Sequence, residues 1–411
     1  MRTVSAIKNI NSTLIVYGFN MVLQFIIRFV LLYYLSIEYL GLNGLFDNIL
    51  TVLSLTELGI GPAIIFSLYA PLANHDLETV KSIMRIFKKA YIYIGTLILF
   101  LGLCISPFVQ HLIKVPPNIA YLNIFFLLFV VDTGISYFYS YKKCLLIADQ
   151  KQYIANYYRG ITQLIGSLFQ IALVVLTHSF WVYIILRICM TFSENFLIAR
   201  KADHLYSFLN EKNIRPLNKD IYQSIIRNIK ALILHKIGGV TVFGTSNIIL
   251  SKFVGLSAVA LYTNYYLIIN GIDKLSDQVF NALKASVGNL NESHDDAHKL
   301  VIFKRLEFMT AYLACFICSN LYLLLNPFIT IWLGNSYRFD ESIVLWMVIN
   351  FYLMFMRKGV LVFKDAMGLV WQKRDMSLIE SLINLGSSIV LVQYFDVWGV
   401  LLAMFISTIC M

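Results

Sequence analysis

The chain has 411 residues, 59% of them hydrophobic and only 14% charged, with a mean hydropathy of +0.72. A soluble domain carries about 25% charged and 45–50% apolar residues, so a water-soluble globular protein is excluded and the bilayer is the natural solvent. The net charge of +10 does not indicate nucleic acid, because the basic residues gather at the edges of apolar runs, and those unbroken runs exclude the alternating strands of an outer-membrane barrel.

Residues 1–11 are polar and mildly basic. The run behind them is long enough to stay as a span, so no cleavable signal is expected. Apolar runs follow at 14–35, 45–70, 90–108, 119–140, 157–176, 180–199, 231–253, 258–282, 306–328, 343–363, 378–395 and 397–411. A span needs ~20 residues and the last run offers only ~15, so eleven to twelve crossings are expected, with the chain ending inside its twelfth helix. The basic residues alternate between the gaps. The N-terminus and the even-numbered gaps hold 26, among them Lys81, Arg85, Lys88, Lys89, Lys142, Lys143, Lys151 and Arg159; the odd-numbered gaps hold only Lys114, Lys252 and Arg338. The positive-inside rule then puts the N-terminus in the cytoplasm of a cell membrane, with short external loops that leave no room for an outer catalytic domain.

Two cytoplasmic stretches have helical apolar spacing. Leu77, Val80, Met84 and Phe87 share one face, and Ile221, Ile225, Ile226 and Ile229 another. Either stretch suits a helix lying at the headgroup boundary, or a plain extension of its neighbour into the cytosol. Pro216 interrupts the chain, so residues 212–230 read as a linker between an N-terminal lobe, 1–211, and a C-terminal lobe, 231–411. The turns at 34–46 and 253–265 look alike at an offset of 219 residues, or six helices, which suggests a parallel internal repeat. The six cysteines give no disulfide framework, and Cys315 and Cys318 form a CxxC inside an apolar run, where packing is the reading.

Charges inside apolar runs cost roughly 2.5–3.5 kcal/mol each on insertion scales and are functional candidates by default. They are Arg28, Glu57, Asp132, Arg187, Glu194, Lys236, Asp273, Lys274 and Asp277. Arg28 and Glu57 are placed to pair between the first two spans, either as scaffold or as part of a binding site. Arg187 and Lys236 have side chains long enough to snorkel. Asp273, Lys274 and Asp277 read as an internal salt bridge. Tyr262, Tyr265 and Tyr266 suit either sugar stacking or the core.

Residues 28–69, RFVLLYYLSIEYLGLNGLFDNILTVLSLTELGIGPAIIFSLY, resemble the first two helices of bacterial polysaccharide flippases, the Wzx type of the MOP (MATE-like) superfamily. Residues 139–151 resemble the loop after the fourth helix. Residues 229–270, with LHKIGG and LYTNYYLIIN, resemble the start of the second lobe. The resemblance implies an all-α protein of two six-helix lobes in a V, about 12 transmembrane helices in all, with a cavity facing alternately inward and outward. It implies a cargo of oligosaccharide repeat units on undecaprenyl pyrophosphate, flipped from the cytoplasmic to the outer leaflet for capsule, exopolysaccharide or O-antigen synthesis. Arg28 matches the family's cavity arginine of the first helix and Lys236 a cationic position early in the seventh, and Arg187 joins them as a candidate for the pyrophosphate. Related chains run through a full twelfth helix and often two more, so a truncated product is expected.

The physics agrees: a polyprenyl tail can stay in lipid while the pyrophosphate and sugars cross ~30 Å of hydrocarbon only through a polar cavity, and buried cations neutralise phosphate by charge-assisted hydrogen bonds. No GxxxxGK[ST] motif is present, so an H+ or Na+ gradient is the expected driver, with Glu57 and Asp132 as coupling candidates. No cofactor, metal or nucleic acid is expected. Membrane lipids are partners, and a monomer is expected, with polysaccharide polymerase machinery as a candidate associate. Two other functions compete: an ion-coupled drug/cation antiporter of the same fold, which wants acidic cavity residues, and a membrane polysaccharide polymerase or ligase, which wants a long external loop.

Overall fold

The computed structural model describes residues 2–57, 60–115, 119–211, 217, 221–223, 225–227, 229, 244–293, 296–367 and 374–410, and every regular element among them is a helix. Eight of these helices are long and apolar enough to cross a membrane. Most are apolar nearly all round, which is what a helix bathed in lipid requires, since all its backbone bonds are internal.

The chain divides into two compact units. The first comprises Met1–Leu112 and Pro116–Ile237, the second Ile113–Val115 and Gly238–Met411. The expected linker, 212–230, lies mostly outside the described residues.

In the first unit, α1 is Arg2–Tyr34, α2 Ile37–Leu53, α3 Ile60–Ala73, α4 Leu77–Ile105, α5 Leu122–Ala148, α6 Gln152–Thr177 and α7 Phe180–Leu205. Its core is built from Ile64, Leu68, Val80, Ile83, Met84, Phe87, Ile94 and Ile98 against Leu145, Leu146 and Ala155. The run 45–70, expected as one span, is divided: a 3-10 turn at Ser54–Glu57 follows α2, and α3 opens with Ile60-Gly61-Pro62. Proline is tolerated there because the first turn of a helix has no partners for its N–H groups anyway. A hydropathy window cannot see this break, because Leu55, Gly59 and Ile60 keep the run apolar.

Of the two readings left open for residues 76–89, the structure shows the extension. These residues are the first turns of a single 29-residue helix, α4, and the face carrying Val80, Met84 and Phe87 is buried in the unit core rather than laid on headgroups. Asp76 caps the helix: one carboxylate oxygen accepts from the Thr79 backbone N–H at 3.0 Å and the other from the Thr79 hydroxyl. Glycine lets α4 and α5 approach closely. A Cβ on Gly102 would lie 2.4 Å from Val130 Cγ1, and one on Gly134 2.7 Å from Leu99 Cδ2. Small residues at crossings of this kind are how membrane helices gain van der Waals contact.

In the second unit, α8 covers residues 244–253, α9 Leu256–Ser293, α10 Asp296–Leu333, α11 Glu341–Ala366, α12 Arg374–Phe395 and α13 Val397–Ile409. The 219-residue offset carries helix boundaries as well as sequence. Tyr34, the last residue of α1, falls on Phe253, the last of α8, and Ile37, the first of α2, falls on Leu256, the first of α9. Tyr265 anchors this unit: its hydroxyl donates to Asn326 Oδ1 at 2.5 Å and accepts from the Phe339 N–H at 2.9 Å. Tyr262 and Tyr265 are buried and Tyr266 is half-buried, and Tyr262 and Tyr266 both aim their hydroxyls at Met404 Sδ. All three are committed to packing.

Candidate functional site: a charged cluster inside the first unit

Three helices of the first unit bring polar groups to one place. On α2, Asn43 and Asp47 stand four residues apart and so share a face. On α7, Tyr183 and Arg187 do the same, and α5 contributes Asp132. The guanidinium of Arg187 joins them: Nε donates to Asp132 Oδ2 at 2.8 Å, one terminal nitrogen to Asn43 Oδ1 at 3.1 Å, and the other to Asp47 Oδ1 at 2.7 Å. Its carbon lies 4.4 Å from the centroid of the Phe129 ring, a cation–π contact. Tyr183 donates to Asn43 Oδ1 at 3.3 Å. From α1, Arg28 feels Asp47 and Tyr183 electrostatically.

The residues lie at similar depths. Arg28 is six residues before the end of α1 and Arg187 seven after the start of α7; Asp47 and Asp132 are each ten into their helices. At 1.5 Å per residue this is ~9–15 Å along each helix axis. Two guanidiniums and two carboxylates cancel, and a cancelled set is what a low-dielectric interior tolerates. Burial is graded across the set: the side chain of Asp132 is 7% exposed, that of Arg187 26% and that of Asp47 41%. Arg187 therefore bridges a buried acid and a half-exposed one. The second oxygen of Asp132, Oδ1, is buried and accepts no hydrogen bond among the described residues.

The remaining sequence candidates fall elsewhere. Glu57, in the 3-10 turn, accepts from the Tyr91 hydroxyl at 3.1 Å, with Tyr137 as a second phenolic neighbour. The anticipated Arg28–Glu57 pairing thus gives way to Arg28 near Asp47 and Glu57 among tyrosines. Lys236 lies outside the described residues. In the second unit, Asp273 and Asp277 are bridged by Lys358 of α11, at 2.9 Å from Asp273; the internal salt bridge exists, but with a lysine from another helix joining the acids. Glu194 sits near Gln163 and Arg159, at 3.3 and 3.9 Å. Sequence reading missed Asn43, Asp47 and Tyr183. The signal available was the i, i+4 spacing of Asn43 and Asp47 just after a span that already held Arg28.

No family model and no curated protein matches the sequence. Solved structures match over nearly the whole chain. An inward-facing multidrug resistance MATE family transporter of the MOP superfamily aligns with a TM-score of 0.66 at 13% identity, covering 96% of this chain and 92% of its own. A Vibrio cholerae MATE transporter aligns with the same TM-score at 11% identity, covering 100% and 94%. The lipid II flippase MurJ in an inward closed conformation also gives 0.66, at 13% identity, covering 96% and 84%. At such identities the likeness establishes the fold: an all-helical, multi-pass membrane protein with the architecture of MATE and MOP transporters.

Proposed function

We propose that this chain is a flippase that moves undecaprenyl-pyrophosphate-linked oligosaccharide repeat units between membrane leaflets by alternating access. The observation that carries the reading is the presence of two guanidiniums, Arg28 and Arg187, in one intramembrane cluster. An organic cation entering such a site finds both carboxylates, Asp47 and Asp132, already paired with Arg187. A pyrophosphate meets planar donors suited to bidentate recognition. The likeness of residues 28–69 to polysaccharide flippases supports the same choice, while the fold, shared alike with MATE transporters and a lipid II flippase, suits either reading.

Arg28 is the principal phosphate ligand in this scheme. Arg187 already spends three of its five N–H donors on Asp132, Asn43 and Asp47, so its first task is to position the cluster. Lys236 is the third proposed ligand. Sugars follow through the polar path while the polyprenyl tail stays in lipid.

A second reading keeps the same fold but exchanges cations or drugs for an ion. Asp132 favours it, because a buried carboxylate oxygen with no hydrogen bond from a described residue is an acceptor suited to a proton or Na+. Reconstitution separates the two. In liposomes bearing a fluorescent lipid-linked oligosaccharide, the chain should expose the label to an impermeant quencher faster than protein-free liposomes do. Cation-for-proton exchange without lipid flipping would overturn the proposal in favour of the antiporter.

A further inference from the structure

Among the basic residues on the inner ends of the first unit, two groups contrast. In the first, Lys81, Lys142 and Lys151 are each held by carboxylates: Lys81 lies 2.5 Å from Glu78 and 2.6 Å from Glu211, Lys142 2.5 Å from Asp203 and Lys151 2.7 Å from Asp149. In the second, Arg85, Lys88 and Lys89 of α4 are exposed and form no ion pair with another described residue. Arg85 and Lys89, four residues apart, lie on the side of α4 opposite the buried Val80 and Phe87, and Lys88 stands at the flank of that side. The same exposed side continues along the helix, at successive spacings of four, seven and three residues from Lys89, as Tyr93 (69% exposed), Phe100 (61%) and Leu103 (59%). From Lys89 to Leu103 is ~21 Å of helix, about the thickness of one leaflet with its headgroups.

The sequence therefore builds, on one helix face, a cluster of three cations followed by an aromatic hydroxyl and then bare hydrocarbon contact. This is the order of groups in an anionic phospholipid read from headgroup to tail. Three uncompensated positive charges need counter-charge, and the leaflet surface supplies phosphate. A tyrosine one turn further in sits at the usual depth of an interfacial aromatic. An apolar stripe beneath it offers the acyl chains a continuous track.

We infer that the outward face of α4 is a binding site for an anionic glycerophospholipid, with Arg85, Lys88 and Lys89 on its phosphate and Tyr93, Phe100 and Leu103 along its chains. The site is separate from the Arg187 cluster and does not depend on which cargo the protein moves. It fixes the register of α4 in the bilayer, since a bound headgroup holds Lys88 and Lys89 at the surface.

The test is titration of the purified chain with phosphatidylglycerol and phosphatidylcholine, followed by native mass spectrometry. Phosphatidylglycerol should bind in preference to phosphatidylcholine. Each of Arg85→Gln, Lys88→Gln and Lys89→Gln should weaken its binding roughly fivefold, and the triple variant roughly a hundredfold. Arg85→Lys with Lys88→Arg and Lys89→Arg should stay within a few fold of wild type, and Arg200→Gln with Lys201→Gln should change nothing. Glycerol phosphate, a headgroup without tails, should not compete. Unchanged selectivity in the single variants, or an equal loss in the Arg200/Lys201 control, would overturn the site. Displacement by glycerol phosphate at similar concentration would overturn the lipid in favour of a small soluble anion.

Discussion

Arg187 Nε donates to Asp132 Oδ2 across 2.8 Å, while Oδ1 of the same carboxylate is buried and accepts from no described residue. The pair joins α7 to α5, and the other terminus of the guanidinium reaches Asp47 on α2. Removing one partner of a buried ion pair costs more than removing both, because the survivor keeps its desolvation penalty and loses its counter-charge.

Arg187→Leu should therefore lower stability by about 3 kcal/mol or more, and Arg187→Leu with Asp132→Leu should recover most of the loss. The double variant also leaves Arg28 and Asp47 balanced. Thermal unfolding in detergent, followed by size-exclusion chromatography, reads both. A double variant no more stable than Arg187→Leu alone would show that the pair is not what holds these helices.

The coupling ion is tested on the two carboxylates. Asp132 has a buried oxygen that accepts from no described residue, whereas Glu57 is hydrogen-bonded by Tyr91. Asp132→Asn should make flipping insensitive to an imposed pH or Na+ gradient, while Glu57→Gln, still able to accept from Tyr91, should keep the gradient dependence. The opposite assignment, with Glu57→Gln uncoupled and Asp132→Asn coupled, would move the site to the 3-10 turn.

Glycine at the α4–α5 crossing makes a steric prediction. A Cβ on Gly102 would meet Val130 Cγ1 at 2.4 Å, Cγ2 at 2.6 Å and Cβ at 3.1 Å, a contact that rotation of one methyl cannot relieve. Gly102→Ala should cost about 1–3 kcal/mol by overpacking. Gly18→Ala, where nothing lies within 4 Å, should be neutral or stabilise by up to about 1 kcal/mol through helix propensity. The two melting curves, side by side, check both signs.

These features were legible in the sequence to different degrees, for physical reasons. Helical class follows from run length, because lipid leaves the backbone no other way to satisfy itself. Arg28, Arg187 and Asp132 stand out as charges in apolar runs. Their mutual arrangement does not: Asp132 and Arg187 are 55 residues apart, and no local periodicity encodes which helices touch. Asp47 escaped because it begins a run whose mean hydropathy hides it. The face of Val80, Met84 and Phe87 was visible as an amphipathic stripe, but periodicity cannot say whether such a stripe meets headgroups or protein. Lys358 was invisible as the partner of Asp277, since Lys274 is nearer in the chain and Lys358 is 81 residues away.

Outside the spans, the cap on α4 carries a pH dependence. The hydroxyl and backbone N–H of Thr79 hold the Asp76 carboxyl below its ordinary value of 3.8. A group depressed on folding contributes stability above its unfolded pKa, and that contribution is lost as pH falls through the folded value. Asp76→Ala should cost about 1 kcal/mol near neutrality. The gap from wild type should close only below pH 3.8. A gap that instead widened under acid would contradict the cap.

The last prediction decides whether Arg28 binds cargo or merely balances charge. The structure changes the control needed, because the acid in the field of Arg28 is Asp47 rather than Glu57. If Arg28 engages pyrophosphate, Arg28→Ala should abolish flipping per folded protein while leaving membrane insertion intact. Arg28→Lys should keep part of the activity, since an ammonium supplies the charge but not the planar fork. If Arg28 is scaffold, its loss leaves Asp47 with less counter-charge, and abundance falls instead. Removing that acid as well, with Arg28→Ala and Asp47→Ala together, restores the balance and leaves Arg187 paired with Asp132. Abundance should then be normal under either reading, but flipping should recover only if Arg28 is scaffold. Full flipping in the double variant, normalised to folded protein, would remove Arg28 from the binding site.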